Sequence, residues 1–260
     1  MEQSERSAFE ITILMPCLNE VRTLAACIDE AKAAMERFDW DFEIVIADNG
    51  STDGSQDLAR DCGARVVVAF EKGYGNALRR GIQDAKGDFV IMADCDGSYD
   101  FGEASTLITK LNEGFDVVIG NRFRGGILKD AMPWTHRYIG NPFLSGVGHI
   151  LFRGSIRDFH CGLRGFRRDV FEQLKLRSTG MEFASEMVIR AEIVGLRTAE
   201  VPVSLRPDGR DRPPHLRRWR DGWRHLILLL QLAPQGSLYR HTLGRMASRL
   251  TPRQNHYDGM

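Results

Sequence analysis

An α/β fold, with a parallel central sheet and helices on both faces, is predicted by three features of the sequence. The apolar runs are short and continuous rather than alternating, as in strands buried on both sides. Stretches of helical period separate them. The residues just past the runs are unusually polar, and in such sheets ligands bind at the carboxyl ends of the strands.

The first run, ITILMPC (11–17), leads through P-C-L-N-E (16–20) into a helical stretch over 22–37. FEIVIAD (42–48) is followed by D-N-G-S-T-D-G-S (48–55) and a helix over 54–61, and ARVVVAF (64–70) by a helix over 75–86. FVIMAD (89–94) opens the cluster D-C-D-G-S-Y-D ahead of a helix over 103–113, and DVVIGNRF (116–123) runs into G-N-R-F-R-G-G (120–126). Beyond 126 the alternation stops. The stretch YIGNPFLSGVGHILF (138–152) reads as a packed helix or as a face near lipid. D-F-H-C-G-L-R-G-F (158–166), an amphipathic helix at about 182–194 and the strand-like T-A-E-V-P-V-S-L (198–205) follow. The simplest partition is a catalytic domain over 1–204 and an arginine-rich extension over 205–260.

The 260 residues suffice for one large domain with an appendage. A formal net charge of zero conceals an asymmetry: residues 1–204 carry 24 Lys and Arg against 31 Asp and Glu, and residues 205–260 carry 11 against 4. All 11 basic residues of the extension are Arg, which favours bidentate contact with phosphate. An acidic body without a recognition module argues against nucleic acid as a partner. The five Cys show no C-x-x-C spacing, so neither a disulfide framework nor a zinc site is indicated and a cytoplasmic setting fits.

The run LILLLQLA (226–233) is far shorter than the ~20 residues a spanning helix needs. Residues 206–225 hold seven Arg with Trp219 and Trp223. Arginines on anionic lipid and tryptophans at an interface predict membrane-interface helices, peripheral at the inner face of the plasma membrane. A plain amphipathic helix packed on the domain is the other reading.

The cluster at 94–100 poses the chemical question. Asp94 and Asp96 stand two apart on an extended segment, so both carboxylates leave on the same side and repel. Three readings are open: an acidic turn at Asp-Gly, a divalent-cation site for a phosphorylated substrate, and a phosphatase-type aspartyl nucleophile resembling the haloacid dehalogenase motif. A dication between the two turns repulsion into coordination and suits Mg²⁺ or Mn²⁺ bridged to a diphosphate. The phosphatase order would place its Asp after the first strand, whereas this one follows the fourth. No G-x-G-x-x-G follows the first strand, which counts against a dinucleotide-binding dehydrogenase. Asp48, at another strand end, suits contact with a base edge or ribose, and Asp53 with Ser51 suits a helix cap.

The motifs P-C-L-N-E, D-N-G-S-T-D-G-S, K-G-Y-G-N-A, D-C-D-G-S-Y-D, G-N-R-F-R-G-G, D-F-H-C-G-L-R-G-F and G-M-E-F-A-S-E-M, in that order, resemble the family 2 inverting glycosyltransferases of GT-A fold. The resemblance is strongest to the branch of dolichyl-phosphate mannose synthase and bacterial polyprenyl-phosphate sugar transferases, and covers about residues 10–225. It implies a mostly parallel sheet, C-terminal amphipathic helices, and transfer of a hexose from GDP-mannose or UDP-glucose to a polyprenyl phosphate. A soluble hydroxyl or amine acceptor is the alternative. Carried over by position, Pro16, Asn19, Glu20, Asp48, Gly75 and Asn76 fall where the family holds the nucleotide. Asp94 and Asp96 fall on the metal, with Ser98 at a third ligand position where synthases often carry Gln. Arg122 and Arg137 match arginines on the acceptor phosphate, and Arg164 one near the reacting phosphates. Arg210 and Arg212 are further candidates for acceptor phosphate or anionic lipid. An ionised phosphate acceptor needs no strong base; a hydroxyl acceptor would need one, for which Glu182 and Glu186 are candidates.

Overall fold

A computed structural model of the chain describes residues 9–152, 156–210 and 222–234. The predicted apolar runs become strands β1 (Phe9–Cys17), β2 (Phe42–Asp48), β3 (Arg65–Val68), β4 (Gly87–Met92) and β5 (Val117–Asn121). Their centres, among them Ile13, Val45, Ile91 and Val118, are fully buried, which is why these runs do not alternate. With β6 (Arg164–Arg167) and β7 (Thr198–Pro202) they form one seven-stranded sheet in the order β3-β2-β1-β4-β6-β5-β7.

The expectation of a parallel sheet holds except at β6, which pairs antiparallel with both β4 and β5. This strand adds to the predicted set. Its four residues, R-G-F-R, begin and end on arginine and contain no apolar run, so the burial comes from its neighbours. Phe166 is fully buried, and a Cβ on Gly165 would meet Ile91 Cδ1 at 2.6 Å.

Helices α1 (Leu24–Glu36), α2 (Ser55–Asp61), α3 (Tyr74–Asp84) and α4 (Ala104–Asn112) form the predicted crossovers. α3 lies very close to the sheet, because Gly81 leaves room where a Cβ would meet Leu14 Cδ1 at 2.4 Å. After β5 come α5 (Arg122–Gly125), a π-turn at His136–Gly140 that runs on into α6 (Asn141–Phe152), α7 (Phe171–Leu174) and α8 (Phe183–Val194). The predicted apolar helix is thus found in α6, which buries Ser145, Gly148 and Phe152 but exposes Phe143 and Ile150. A last helix over 222–234 buries His225, Leu229 and Leu232 at helical spacing and exposes Trp223, Ile227 and Leu230 on the opposite side. Among the described residues no helix is long and apolar enough to cross a membrane. Arg212 and Trp219 lie outside the described residues.

Parallel register aligns the strand ends. Cys17 pairs with Asp48 across β1–β2 and Leu14 with Met92 across β1–β4, so the loops after β1, β2 and β4 leave the sheet at one edge. Residues 205–210 then run along that edge. Leu205 N donates to Gly126 O, Arg206 N to Ser98 O at 2.9 Å and Gly209 N to Asp96 O at 2.8 Å.

Candidate active site

Two chambers open at this edge and meet at its centre. The first, of 470 Å³, is walled by Pro16, Glu20, Asn49, Lys72 and Arg224. The second, of 330 Å³, is walled by Tyr99, Arg122, His136, His160 and His225. Tyr74, Asp94, Asp96, Met181 and Arg210 belong to both.

At the junction Asp94 Oδ1 accepts a hydrogen bond from Tyr74 Oη at 3.0 Å. Burial, and then the charge of Asp96, push its pKa up to about 6. Asp96 Oδ1 accepts from Ser98 N at 3.0 Å, a local turn closed by Gly97 at φ 81°. The other oxygen, Oδ2, lies 2.8 Å from Arg210 Nη2. Arg210 also pairs with Asp208 at 3.0 Å and Glu20 at 3.6 Å. A positive charge is therefore already drawn to the spot where the sequence predicts a cation.

The donor set fits a hard dication. Asp94, Asp96 and Ser98 all border the second chamber, and burial with the charge of Asp96 leaves Asp94 in need of positive charge. Among the described residues no three His, Cys, Asp or Glu side chains form a closed metal cage. A cation held by Asp94 and Asp96 would keep positions for phosphate oxygens and water, as Mg²⁺ and Mn²⁺ sites do. Asp100, the third carboxylate of the cluster, is occupied otherwise: Oδ1 caps the next turn through Gly102 N at 2.8 Å, and Oδ2 pairs with Arg206.

Of the expected nucleotide residues, Pro16 and Glu20 line the first chamber. The others stand behind its wall. Asp48 Oδ1 accepts from Gly50 N at 2.9 Å and Gln56 Nε2 at 2.7 Å, shaping the loop that presents Asn49. Asn19, at φ 58°, locks the loops after β1 and β2 together, accepting at Oδ1 from Thr52 N at 2.7 Å and donating its own N–H to Ser51 Oγ at 2.8 Å. Gly75 N donates to Thr179 O at 3.0 Å, and a Cβ there would meet Ser178 O at 2.4 Å. Asn76 donates to Lys72 O at 3.1 Å. Asp53 accepts from Ser55 N at 3.0 Å at the start of α2, where the sequence predicts a cap.

The arginines divide similarly. Arg122 is buried against Asp158, donating from Nε and Nη2 at 2.8 Å each. Two of its five N–H donors are thus spent, and the guanidinium still borders the second chamber. Arg164 borders neither chamber. It is fully buried and donates to Ala184 O at 2.7 Å and Cys161 O at 3.1 Å, stapling the loop before β6 to α8. Its charge still acts on Asp94, lowering a pKa that burial raises. Arg137 sits over the Tyr138 ring at 5.4 Å and borders neither chamber. Glu182 is held by Arg224 Nη2 at 2.5 Å and Gly180 N at 3.2 Å. Glu186 is bonded at both oxygens, to Arg190 Nε at 2.7 Å and to the N–H groups of Arg177 and Ser178, so it braces the 177–179 loop.

Several lining residues carry no signal in the sequence reading. Lys72, Tyr74, Tyr99 and His160 lie inside quoted motifs without having been singled out. Arg224 and His225 join the lining only through the fold. Ser185, fully buried on α8, stands between two imidazoles, with Oγ 3.1 Å from His160 Nδ1 and 2.8 Å from His225 Nδ1.

Known proteins resemble this chain in sequence and in fold. Residues 12–175 match the family Glycosyl transferase family 2. The low-salt glycan biosynthesis hexosyltransferase Agl6 of Haloferax volcanii is 38% identical over 225 residues, 86% of this chain and 54% of its own length. The chain thus spans about half of that relative. The dolichyl-phosphate hexose transferase of the same organism is 29% identical, covering 76% of this chain and 83% of its own. Glucosyl-3-phosphoglycerate synthase from Mycobacterium tuberculosis, solved with Mn²⁺, UDP and glucosyl-3-phosphoglycerate, superposes with a TM-score of 0.68 at 23% identity, over 87% of this chain and 81% of that one. With a GT-A-type sheet, an acidic pair at the end of β4 and this run of matched residues, the chain belongs to glycosyl transferase family 2.

Proposed function

We propose that the protein transfers a hexose from a nucleotide sugar, GDP-mannose or UDP-glucose, to a polyprenyl phosphate at a membrane surface. The observation that carries this reading is the meeting of two chambers at Asp94 and Asp96. One chamber takes the donor and the other the acceptor. Mn²⁺ in the synthase complex and dolichyl phosphate in the name of the Haloferax relative support the cofactor and the acceptor class.

A Mg²⁺ or Mn²⁺ ion held by Asp94 and Asp96 would supply positive charge for the departing diphosphate. The chain's own residues do the rest. Arg210 and Lys72 bring positive charge to the first chamber, and Arg122, fixed by Asp158, presents its remaining N–H groups to an acceptor phosphate. Preorganisation by buried partners keeps these donors from reorganising during reaction.

The apolar surface supports a lipid acceptor. Trp134, Tyr138, Ile139 and Phe143 are exposed on the segment that walls the second chamber through Met132, His136 and Leu144. Trp223, Ile227 and Leu230 are exposed on the helix that walls it through His225. Aromatic and aliphatic side chains flanking a polar pocket suit an amphiphile whose phosphate enters while its chain stays in lipid.

The test has two stages. A thermal-shift screen of UDP and GDP with and without Mn²⁺ identifies the nucleotide, because a native-state ligand raises the melting temperature. Transfer from the matching sugar nucleotide to a short-chain prenyl phosphate then tests the acceptor. Sugar transfer to prenyl phosphate is the expected result. Donor hydrolysis with no transfer to any prenyl phosphate would refute the lipid acceptor and leave a soluble one.

A further inference from the structure

The helix over 222–234 carries two consecutive residues into different chambers. Arg224 walls the first chamber and His225 the second, and Gly222 borders the second as well. Neighbouring Cα atoms stand about 3.8 Å apart, so Arg224 lies at the end of the first chamber closest to the second. Met181, which borders both chambers, is flanked in the chain by the two residues that the Arg224 side chain meets. A Cβ on Gly180 would stand 3.1 Å from Arg224 Cζ and Nη1, and Glu182 Oε1 accepts from Nη2 at 2.5 Å.

Residues 222–234 read G-W-R-H-L-I-L-L-L-Q-L-A-P, with Arg224 their one Lys or Arg and no Asp or Glu among them. Packing and the exposed apolar face account for the aliphatic positions and leave the charge to be explained. A latch to the 179–182 loop explains part of it. Nη2 does that tethering, donating to Glu182 and to Thr179 Oγ1 at 3.3 Å. Nη1 and Nε make no hydrogen bond among the described residues and are not sealed from solvent; the side chain is 36% exposed. A guanidinium has five N–H donors, so three remain for a ligand.

The other cations of the first chamber are held elsewhere. Lys72 Nζ donates to Asn49 O at 2.8 Å on the loop after β2, and Arg210 is tied to Asp96, Asp208 and Glu20. A nucleoside diphosphate would bring further negative charge into a chamber of 470 Å³ already bordered by Glu20, Asp94 and Asp96. We infer that Arg224 binds the β-phosphate of the sugar donor and stabilises it as the leaving group. The inference rests on the reading of the first chamber as the donor site.

As the acceptor oxygen forms its bond to the anomeric carbon, the bond from that carbon to the β-phosphate oxygen breaks and its electron pair stays on the oxygen. The leaving diphosphate gains one negative charge. The guanidinium, protonated at every working pH, meets that charge with hydrogen bonds and no proton transfer. Its pair with Glu182 fixes it before the donor arrives, so little order is lost on binding.

The test is isothermal titration at fixed Mn²⁺ with a nucleoside diphosphate and the corresponding monophosphate, UDP and UMP or GDP and GMP, whichever base wild type takes. Arg224→Ala should weaken diphosphate binding about ten- to a hundredfold, the range for hydrogen bonds to charged groups, and monophosphate binding less than about threefold. An equal loss on both ligands would mean that Arg224 shapes the chamber as a whole, and no loss on either that it does not reach the donor; each overturns the inference. Because Ala strands the buried Glu182 carboxylate, a second variant, Arg224→Met with Glu182→Gln, removes both charges together. The same diphosphate-specific loss is expected there, and its absence overturns the inference even where Arg224→Ala fails to fold. If wild type binds neither UDP nor GDP, the first chamber is not the donor site and both readings fall; diphosphate binding that these variants leave intact refutes the Arg224 assignment alone.

Discussion

Asp158→Asn tests whether the second chamber is held by a buried ion pair. The carboxylate is fully buried and makes four contacts: Arg122 Nε and Nη2 at 2.8 Å, Arg122 N at 3.1 Å and His160 N at 3.3 Å. Asn preserves the shape but removes the charge and turns one acceptor into a donor facing a guanidinium. Breaking one side of a buried pair costs about 3–5 kcal/mol, because the remaining charge stays desolvated. At about 2–4 °C per kcal/mol for a domain of this size, the melting temperature should fall by roughly 6–20 °C. Burial alone would raise the Asp158 pKa, but Arg122 outweighs it and holds the carboxyl below its ordinary value. The stabilisation is therefore present above the unfolded value of about 3.9 and is lost as pH falls through the folded one. Differential scanning calorimetry should show the deficit undiminished at pH 7 and pH 5. A loss of under about 2 °C at both values would show that Arg122 does not depend on Asp158.

Two further outcomes concern the acidic junction. Asp94 titrates near 6 in the fold against 3.8 as its ordinary value, so between these the native state binds more protons and stability falls as pH rises. Asp94→Asn, which cannot ionise, should melt above wild type at pH 7.5 in EDTA, by at most about 3 kcal/mol, and keep only about a third of that advantage at pH 4.5; equal melting at pH 7.5 would contradict this. Arg210→Ala removes the guanidinium from Asp96, so isothermal titration without nucleotide should find tighter Mn²⁺ binding, and weaker binding would show that Arg210 assists the metal.

Legibility in the sequence followed locality. The runs ITILMPC, FEIVIAD and FVIMAD are apolar because both faces of their strands are covered, so each announced itself over a few residues. Asp94 and Asp96 were legible because they directly follow a buried run, although the segment bends at 95–97 where an extended one was expected; both border the two chambers. β6 was not, because R-G-F-R acquires its burial from β4, β5 and α4, none of which is near in sequence. Asp48 and Asn76 look like ligand contacts in their motifs, and their hydrogen bonds in the fold shape the loops that carry Asn49 and Lys72.

His160, Ser185 and His225 show the limit most clearly. Their spacing of 25 and 40 residues carries no periodic signal, and each alone is an ordinary polar residue, Ser185 and His225 buried and His160 half-buried. Their meaning arises when α8 and the helix over 222–234 pack against the loop before β6. The same helix that hides His225 against the domain turns Trp223, Ile227 and Leu230 outward. If it docks on lipid through that face, docking also holds His225 in place against Ser185. Membrane attachment and the wall of the second chamber would then share one element, and a change on its exposed face, such as Leu230→Glu, would act on the site without touching it.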